Sequence, residues 1–208
     1  MVKFNEISTN FPYLIGLDVE CEMVANFCID KDSELENFLP KIRFKLSAWS
    51  EKEEEVGKRV NLAYINLIKI PSNYRLSPSL AKNYDMFKAM EEADCSDLSD
   101  VKDIIFHPHY DRLFGVTEAL KQSDLYHISE IYTGEKYRGK KIGARFLELL
   151  PELIKNYFGD ENGLLTLKIC PIDVPDGKTR CETFAMLEKF YTENNFHLCG
   201  NDIAIKKF

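Results

Sequence analysis

Three stretches in the first third of the chain, residues 18–29, 41–49 and 60–70, carry β-branched and aromatic residues at near period-two spacing. Each reads as a strand of a mostly antiparallel sheet. The charged link between the second and third contains Gly57 and reads as a hairpin loop. Beyond Ser77 the period lengthens: Pro78 and Ser79 suit a helix start, and Leu80, Tyr84, Phe87 and Met90 recur at three or four residues. A second short helix is expected after the cap residues Asp97 and Ser99. A third is expected within residues 111–120, where Gly115 costs about 1 kcal/mol relative to alanine.

From Asp124 the order becomes sharper: a strand over 125–133, a basic glycine-containing turn, a helix over 142–158 and a strand over 164–170. A loop with two prolines, a helix over 180–194 and a terminal hairpin about Gly200-Asn201-Asp202 follow. In the first of these helices Ile142, Phe146, Leu149, Leu150, Leu153, Ile154 and Tyr157 form one apolar stripe. Pro151 interrupts it and is expected to kink the helix or loosen its bond back to Leu147. The pattern predicts an α/β fold: a mixed, mainly antiparallel central sheet flanked by helices, with a helical insertion before the strand at 125–133. No repeat or low-complexity linker divides the chain, so residues 1–208 are expected to form one domain.

The 208 residues are 45% hydrophobic, enough for a substantial core. No apolar run approaches the roughly 20 residues of a bilayer span, and the first residues lack an apolar signal core. A cytoplasmic protein with no membrane partner is expected. The net charge is −7, and the acidic runs at 51–55 and 91–100 would repel a phosphate backbone, which argues against nucleic acid as a partner. Those runs read either as solvated faces or as a field that steers a cationic ligand. The six cysteines form no CxxC pair and are expected to be reduced and structural. His107 and His109 lack companion ligands at metal-binding spacing, so no metal is expected.

The segment from Ile131 to Ala144 joins a strand to a helix, so several backbone N–H groups converge where the helix carries about half a unit of positive charge. An anion there gains about 0.3 to 2 kcal/mol. Gly139 and Gly143 allow close approach of a phosphate, and Arg138, Lys140 and Lys141 supply charge. The features suit a pyrophosphate; they equally suit a tight turn with a solvated basic rim. No Gly-Lys-Ser/Thr follows, and three glycines at dinucleotide-fingerprint spacing are missing.

Tyr137-Arg138-Gly139-Lys140-Lys141-Ile142-Gly143 resembles the acetyl-CoA loop of the GCN5-related N-acetyltransferase family, Arg/Gln-x-x-Gly-x-Gly/Ala. Lys141 stands where the motif has its first glycine, a replacement expected to need an ordinary helical φ. About fifty residues later, Phe190-Tyr191-Thr192-Glu193-Asn194-Asn195-Phe196 is similar to the family's Tyr-x-x-x-Gly-Phe ending. Asn195 replaces that glycine, and asparagine tolerates the left-handed conformation that ends a helix. The resemblance covers residues 124–208, while residues 1–123 carry no family motif.

It implies an enzyme with acetyl-CoA as co-substrate, transferring the acetyl group to an amine by direct attack. It further implies that the strands on either side of the first helix splay apart around the pantetheine. Backbone groups of Ile131 and Thr133 would hold that arm, and Arg138, Gly139, Lys140, Lys141, Gly143 and Ala144 the pyrophosphate. A lysine-like amine is neutral only about once in 2,500 molecules at pH 7, so a base must take its proton. By simple alternation Leu125, His127, Ser129, Ile131 and Thr133 share one strand face, and Tyr126, Ile128, Glu130 and Tyr132 the other. Family members place a base near His127 or Ser129, which makes His127 the first candidate; a hydrogen-bonded core histidine is the other reading. Glu130 and Asp173 are reserve candidates, and Tyr191 stands where the family has the acid for the leaving sulfur.

The acceptor is an amine, and the acidic balance favours a cationic one. Trp49, Tyr64 and Tyr74 either line its pocket or fill the sheet core. Lys141 and Asn195 keep a second class open, a catalytically degenerate acyl-CoA-binding or protein-interaction module. The long N-terminal part is a candidate homodimer interface.

Overall fold

The computed structural model describes residues 14–24, 39–51, 56–70, 96–105, 107–116, 123–175 and 177–208. Its strands are β1 (Leu14–Val24), β2 (Lys41–Ser50), β3 (Arg59–Ile70), β4 (Leu125–Thr133), β5 (Leu164–Lys168), β6 (His197–Leu198) and β7 (Ile203–Lys207). They form one sheet in the order β1-β2-β3-β4-β5-β7-β6, antiparallel throughout except for the parallel β4–β5 pair. The helices are α1 (Ser96–Ile105), α2 (Pro108–Phe114), α3 (Ile142–Phe158) and α4 (Arg180–Glu193). The fold is thus mixed α/β about a mostly antiparallel sheet. The parallel pair needs a crossover, and α3 is that crossover.

Alternation along the strands feeds two cores. On one face Phe44, Ile65, Leu67, Tyr126 and Ile128 meet Ile142, Phe146, Leu150 and Ile154 of α3, with Phe184, Leu187 and Phe190 of α4 packed against the cluster. On the other, Ile68, Ile70, Leu125, Leu164, Ile203 and Ile205 meet Leu98, Val101 and Ile105 of α1. Each fully buried side chain of this size contributes about 1.5 to 3 kcal/mol. The apolar stripe of α3 is buried except at Leu153, which is partly covered, and Tyr157, whose ring lies 5.5 Å from Phe44 and whose hydroxyl donates to Val19 O. The helix runs unbroken through Pro151.

The boundaries follow local chemistry. Thr179 and Glu182 form a reciprocal capping box at the start of α4. His107 caps α2 by accepting from His109 N at 3.2 Å, with Pro108 in the first turn. Gly115, expected inside a helix, ends α2 instead: its φ of 59° is the left-handed conformation that glycine takes without strain. β1 begins earlier than the expected strand, and residues 25–29 lie outside the described residues, as does the helix expected around residues 80–90. Cys170 and Cys181 are exposed rather than buried, Cys21 and Cys199 are partly covered, and Cys28 and Cys95 lie outside the described residues. No helix among the described residues is long and apolar enough to cross a membrane.

At the paired end of β4 and β5 a charged cluster clasps the sheet. Lys69 Nζ lies 2.9 Å from Asp124 Oδ2 and 3.0 Å from Asp160 Oδ2, and sits over the rings of Phe158 and Tyr126. The Tyr126 hydroxyl donates to the same Asp160 carboxylate. All three charged side chains are less than one-fifth exposed. Removing the cation would leave two nearby carboxylates uncompensated, so Lys69→Ala is expected to lower unfolding free energy by about 3 kcal/mol in denaturant titration. A loss below about 1 kcal/mol would mean that solvent already screens the cluster.

Candidate functional site

Pairing along β4 changes character at one residue. His127 opposes Ile68 and Ile128 opposes Leu67, but Asn66 opposes Glu130, so Ser129 is an extra residue in β4. Pairing with β5 ends at the same point: the parallel register runs from Leu125 opposite Leu164 to Ile128 opposite Leu167, and residues 129–133 have no partner on that side. The bulge also reverses the alternation expected from sequence. Before it His127 faces α1; after it Ile131 and Thr133 face the α3 side with Ile65 and Ala63, whereas Glu130 and Tyr132 share the face of His127. An inserted residue turns every later side chain over, which simple period-two reading does not register.

The strand then enters the basic turn. Gly134 N donates to Leu62 O, a 3₁₀ turn spans Glu135–Tyr137, and Gly139 has a φ of 71°. Lys141, the N-cap of α3, has φ 60° and ψ 10°, which corrects the expectation of an ordinary helical φ. The turn must reverse into α3 here, and it keeps the left-handed geometry that a glycine would adopt freely. The first carbonyl-bonded amide of α3 is Arg145 N, which donates to Lys141 O. The amides of Ile142, Gly143 and Ala144, in the first turn of α3, have no partner within the helix itself. Gly143 lets α3 press against β4, because a Cβ there would come within 3.2 Å of Thr133 Oγ1 and 3.7 Å of Phe190. That contact also sets the last turn of α4 beside the first turn of α3.

The loop after β5 returns to this turn. Arg138 donates from Nε to Thr133 O at 3.1 Å, pairs through Nη2 with Asp173 Oδ2 at 3.1 Å, and lies 5.8 Å from the centre of the Tyr132 ring. Arg138, Lys140 and Lys141 are all exposed. Arg138 and Asp173 thus bridge the side of β4 that β5 leaves unpaired.

On the opposite face of the sheet two cross-strand rows run up to β4: Glu20–Lys45–Tyr64–Tyr132 and Glu22–Arg43–Asn66–Glu130. Glu130 accepts from Tyr64 Oη at 2.7 Å and from Asn66 Nδ2 at 2.8 Å, and Arg43 Nε donates to Asn66 Oδ1 at 2.7 Å. Tyr64 and Tyr132 stack at 5.1 Å, and the Arg43 guanidinium lies 5.0 Å from the Tyr64 ring. Burial and the Glu130 carboxylate push the Tyr64 hydroxyl up to about 12, so it remains a donor. Tyr64 therefore belongs to this polar platform and not to the sheet core. Trp49 is 44% exposed, and Tyr74 lies outside the described residues.

The structure brings His127 neither to the basic turn nor to the half of β4 that β5 leaves unpaired. Its side chain is fully buried on the α1 face, with Nδ1 3.2 Å from Thr166 Oγ1 and Nε2 without a hydrogen-bond partner. Burial lowers its pKa to about 4, against a weaker upward pull from Asp97. A general base must reach the proton it takes, so the geometry favours the core reading of this residue. Tyr191 stands in the last turn of α4 with its ring against Phe190 and Phe196 and no hydrogen bond from its hydroxyl among the described residues. Burial pushes it up to about 12, so it holds its proton at neutral pH. Asn195, immediately beyond α4, has a φ of 64°.

Arg43 and Asn66 escaped the sequence reading. Polar residues within period-two strands do mark a solvated face, but nothing in sequence says which of them meet across strands. Among the described residues no group of three or more His, Cys, Asp or Glu side chains is arranged to hold a metal ion. No protein-family model and no curated protein matches the chain.

Two outcomes follow from these geometries. In the unfolded chain His127 protonates near pH 6.5, whereas the folded chain resists protonation down to about pH 4. Its contribution is therefore fully present above pH 6.5 and is lost as pH falls towards 4, by about 3 kcal/mol in all. Between pH 6.5 and 5 the wild type should lose about 2 kcal/mol in denaturant titrations that His127→Gln does not lose; parallel curves would contradict this. Separately, Lys141→Gly should raise stability by about 1 kcal/mol by relieving the left-handed lysine. A decrease would show that the lysine side chain makes stabilising contacts outweighing that strain.

Proposed function

We propose that the protein is an acetyl-CoA-dependent N-acetyltransferase with the architecture of the GCN5-related family. One observation carries the reading: β4 loses its parallel partner at a bulge and then feeds a basic turn and the N-terminus of a helix. A pantetheine arm can add to the unpaired edge of β4 as a further strand would, through backbone groups of Ile131 and Thr133. The pyrophosphate then meets the amides from Gly139 to Ala144, with Arg138, Lys140 and Lys141 around it. The left-handed Lys141 supports the motif alignment, since it adopts the conformation for which the family glycine is suited.

With the thioester beside the bulge, Glu130 is the carboxylate oriented on the acceptor side, and it takes over the base role that sequence first assigned to His127. Glu130 accepts a proton from the acceptor ammonium. The amine nitrogen attacks the thioester carbon and a C–N bond forms; the nitrogen then loses its second proton to solvent, and the tetrahedral intermediate collapses with cleavage of the C–S bond. Tyr191 gives its proton to the departing thiolate and is reprotonated from solvent. The sum is amide, free thiol and one proton released.

Calorimetric titration with acetyl-CoA, desulfo-CoA and ATP tests the site: micromolar binding of both CoA compounds but not ATP is expected, and absence of CoA binding would remove the proposal. Tyr191→Phe should then lower kcat about 100-fold with little change in acetyl-CoA affinity. A large loss of affinity would instead mark Tyr191 as a packing residue. The strain at Lys141 favours one other reading, a non-catalytic acyl-CoA sensor, which predicts binding without thiol release on any amine.

A further inference from the structure

The two polar rows that run up to β4 neutralise their charges locally, with two exceptions. Lys45 Nζ lies 2.5 Å from Glu22, and Glu20 is bound by Arg59, which also holds Asp18. Among the described residues neither Arg43 nor Glu130 has an ion-pair partner, although they occupy the same row. They are joined through one amide. Asn66 accepts from Arg43 through Oδ1 and donates to Glu130 through Nδ2, so its carbonyl and amino ends fix a cation and an anion side by side without letting them pair. Arg43 itself is held over the Tyr64 ring, and Tyr64 holds the other oxygen of Glu130. The Nη groups of Arg43 make no hydrogen bond among the described residues, and a carboxylate with about four acceptor sites still has room at Glu130.

A guanidinium and a carboxylate kept apart in this way complement a ligand bearing both charges in the opposite order. We infer that the acceptor is a free amino acid or a similarly short zwitterion, its ammonium on Glu130 and its carboxylate on the Nη edge of Arg43. The inference rests on the transferase reading, which sets the ammonium of the acceptor at Glu130, and it adds the identity of the group at the other end of the acceptor. A polyamine offers no carboxylate and would bring a second cation up to Arg43. A lysine within a protein has its α-carboxylate tied up as an amide. Arg43 is a specificity residue here because a planar fork can take a carboxylate through two parallel hydrogen bonds. Asn66 is a positioning residue, since it sets the spacing of the two charges.

Thiol release from acetyl-CoA would be measured with free amino acids, with the corresponding amino-acid amides and with spermidine, on the full chain and on Arg43→Gln. The free acids should be used with a kcat/KM about 10- to 100-fold above their amides, and Arg43→Gln should bring the acids down to the level of the amides. If that variant does not fold, the acid-to-amide ratio of the wild type decides alone. Amides or spermidine used as well as the free acids would overturn the inference and leave the transferase reading standing. Thiol release with none of these amines would also overturn it, and calorimetric binding of acetyl-CoA would then show whether the transferase reading falls too.

Discussion

A single inserted residue in a central strand organises this molecule. Ser129 interrupts β4 where the pairing with β5 stops, and because strand side chains alternate with a period of two, the same residue hands the remainder of the strand to the opposite arrangement of faces. Without it Glu130 would point into the α3 core, where a carboxylate could persist only if paired. With it the carboxylate reaches the polar platform and meets the donors Tyr64 and Asn66. The apolar Ile131 turns inward instead, packing against the core that α3 closes.

The two halves of β4 consequently experience different solvents. Leu125 to Ile128 lie fully within the sheet, covered by α1 on one side and α3 on the other, and His127 is kept neutral there by exclusion of water. Ser129 onward lies beside a rim of exposed cations, stacked tyrosines and the Arg138–Asp173 bridge. A carboxylate and an imidazole three residues apart thus end up with different prospects for chemistry, the one partly exposed and the other sealed.

Periodicity foretold the parts of this arrangement that depend on local composition. The α3 stripe was legible because its apolar residues recur every three or four positions. The basic turn was legible as a chemical class, since glycine and cations cluster where a strand meets a helix. The orientation of β4 was not, because Ser129 carries no glycine or proline signal and a bulge is decided jointly with the facing strand. Nor was the left-handed Lys141, whose conformation is imposed by the turn against the preference of the residue. The Arg43–Asn66–Glu130 row spans three strands, and its register depends on pairing between segments far apart in the chain.

The clasp around Lys69 has a mechanical side. It ties β3, the start of β4 and the segment after α3 at the end where β4 and β5 are hydrogen-bonded, while beyond the last paired residues Arg138 and Asp173 form an exposed ion pair. The bonded end at residues 124–128 is therefore expected to open last, and the exposed Arg138–Asp173 pair to yield first. Salt screens an exposed pair far more than a part-buried one, so raising ionic strength should loosen that end of the molecule while leaving the clasp, and the sheet it fastens, whole.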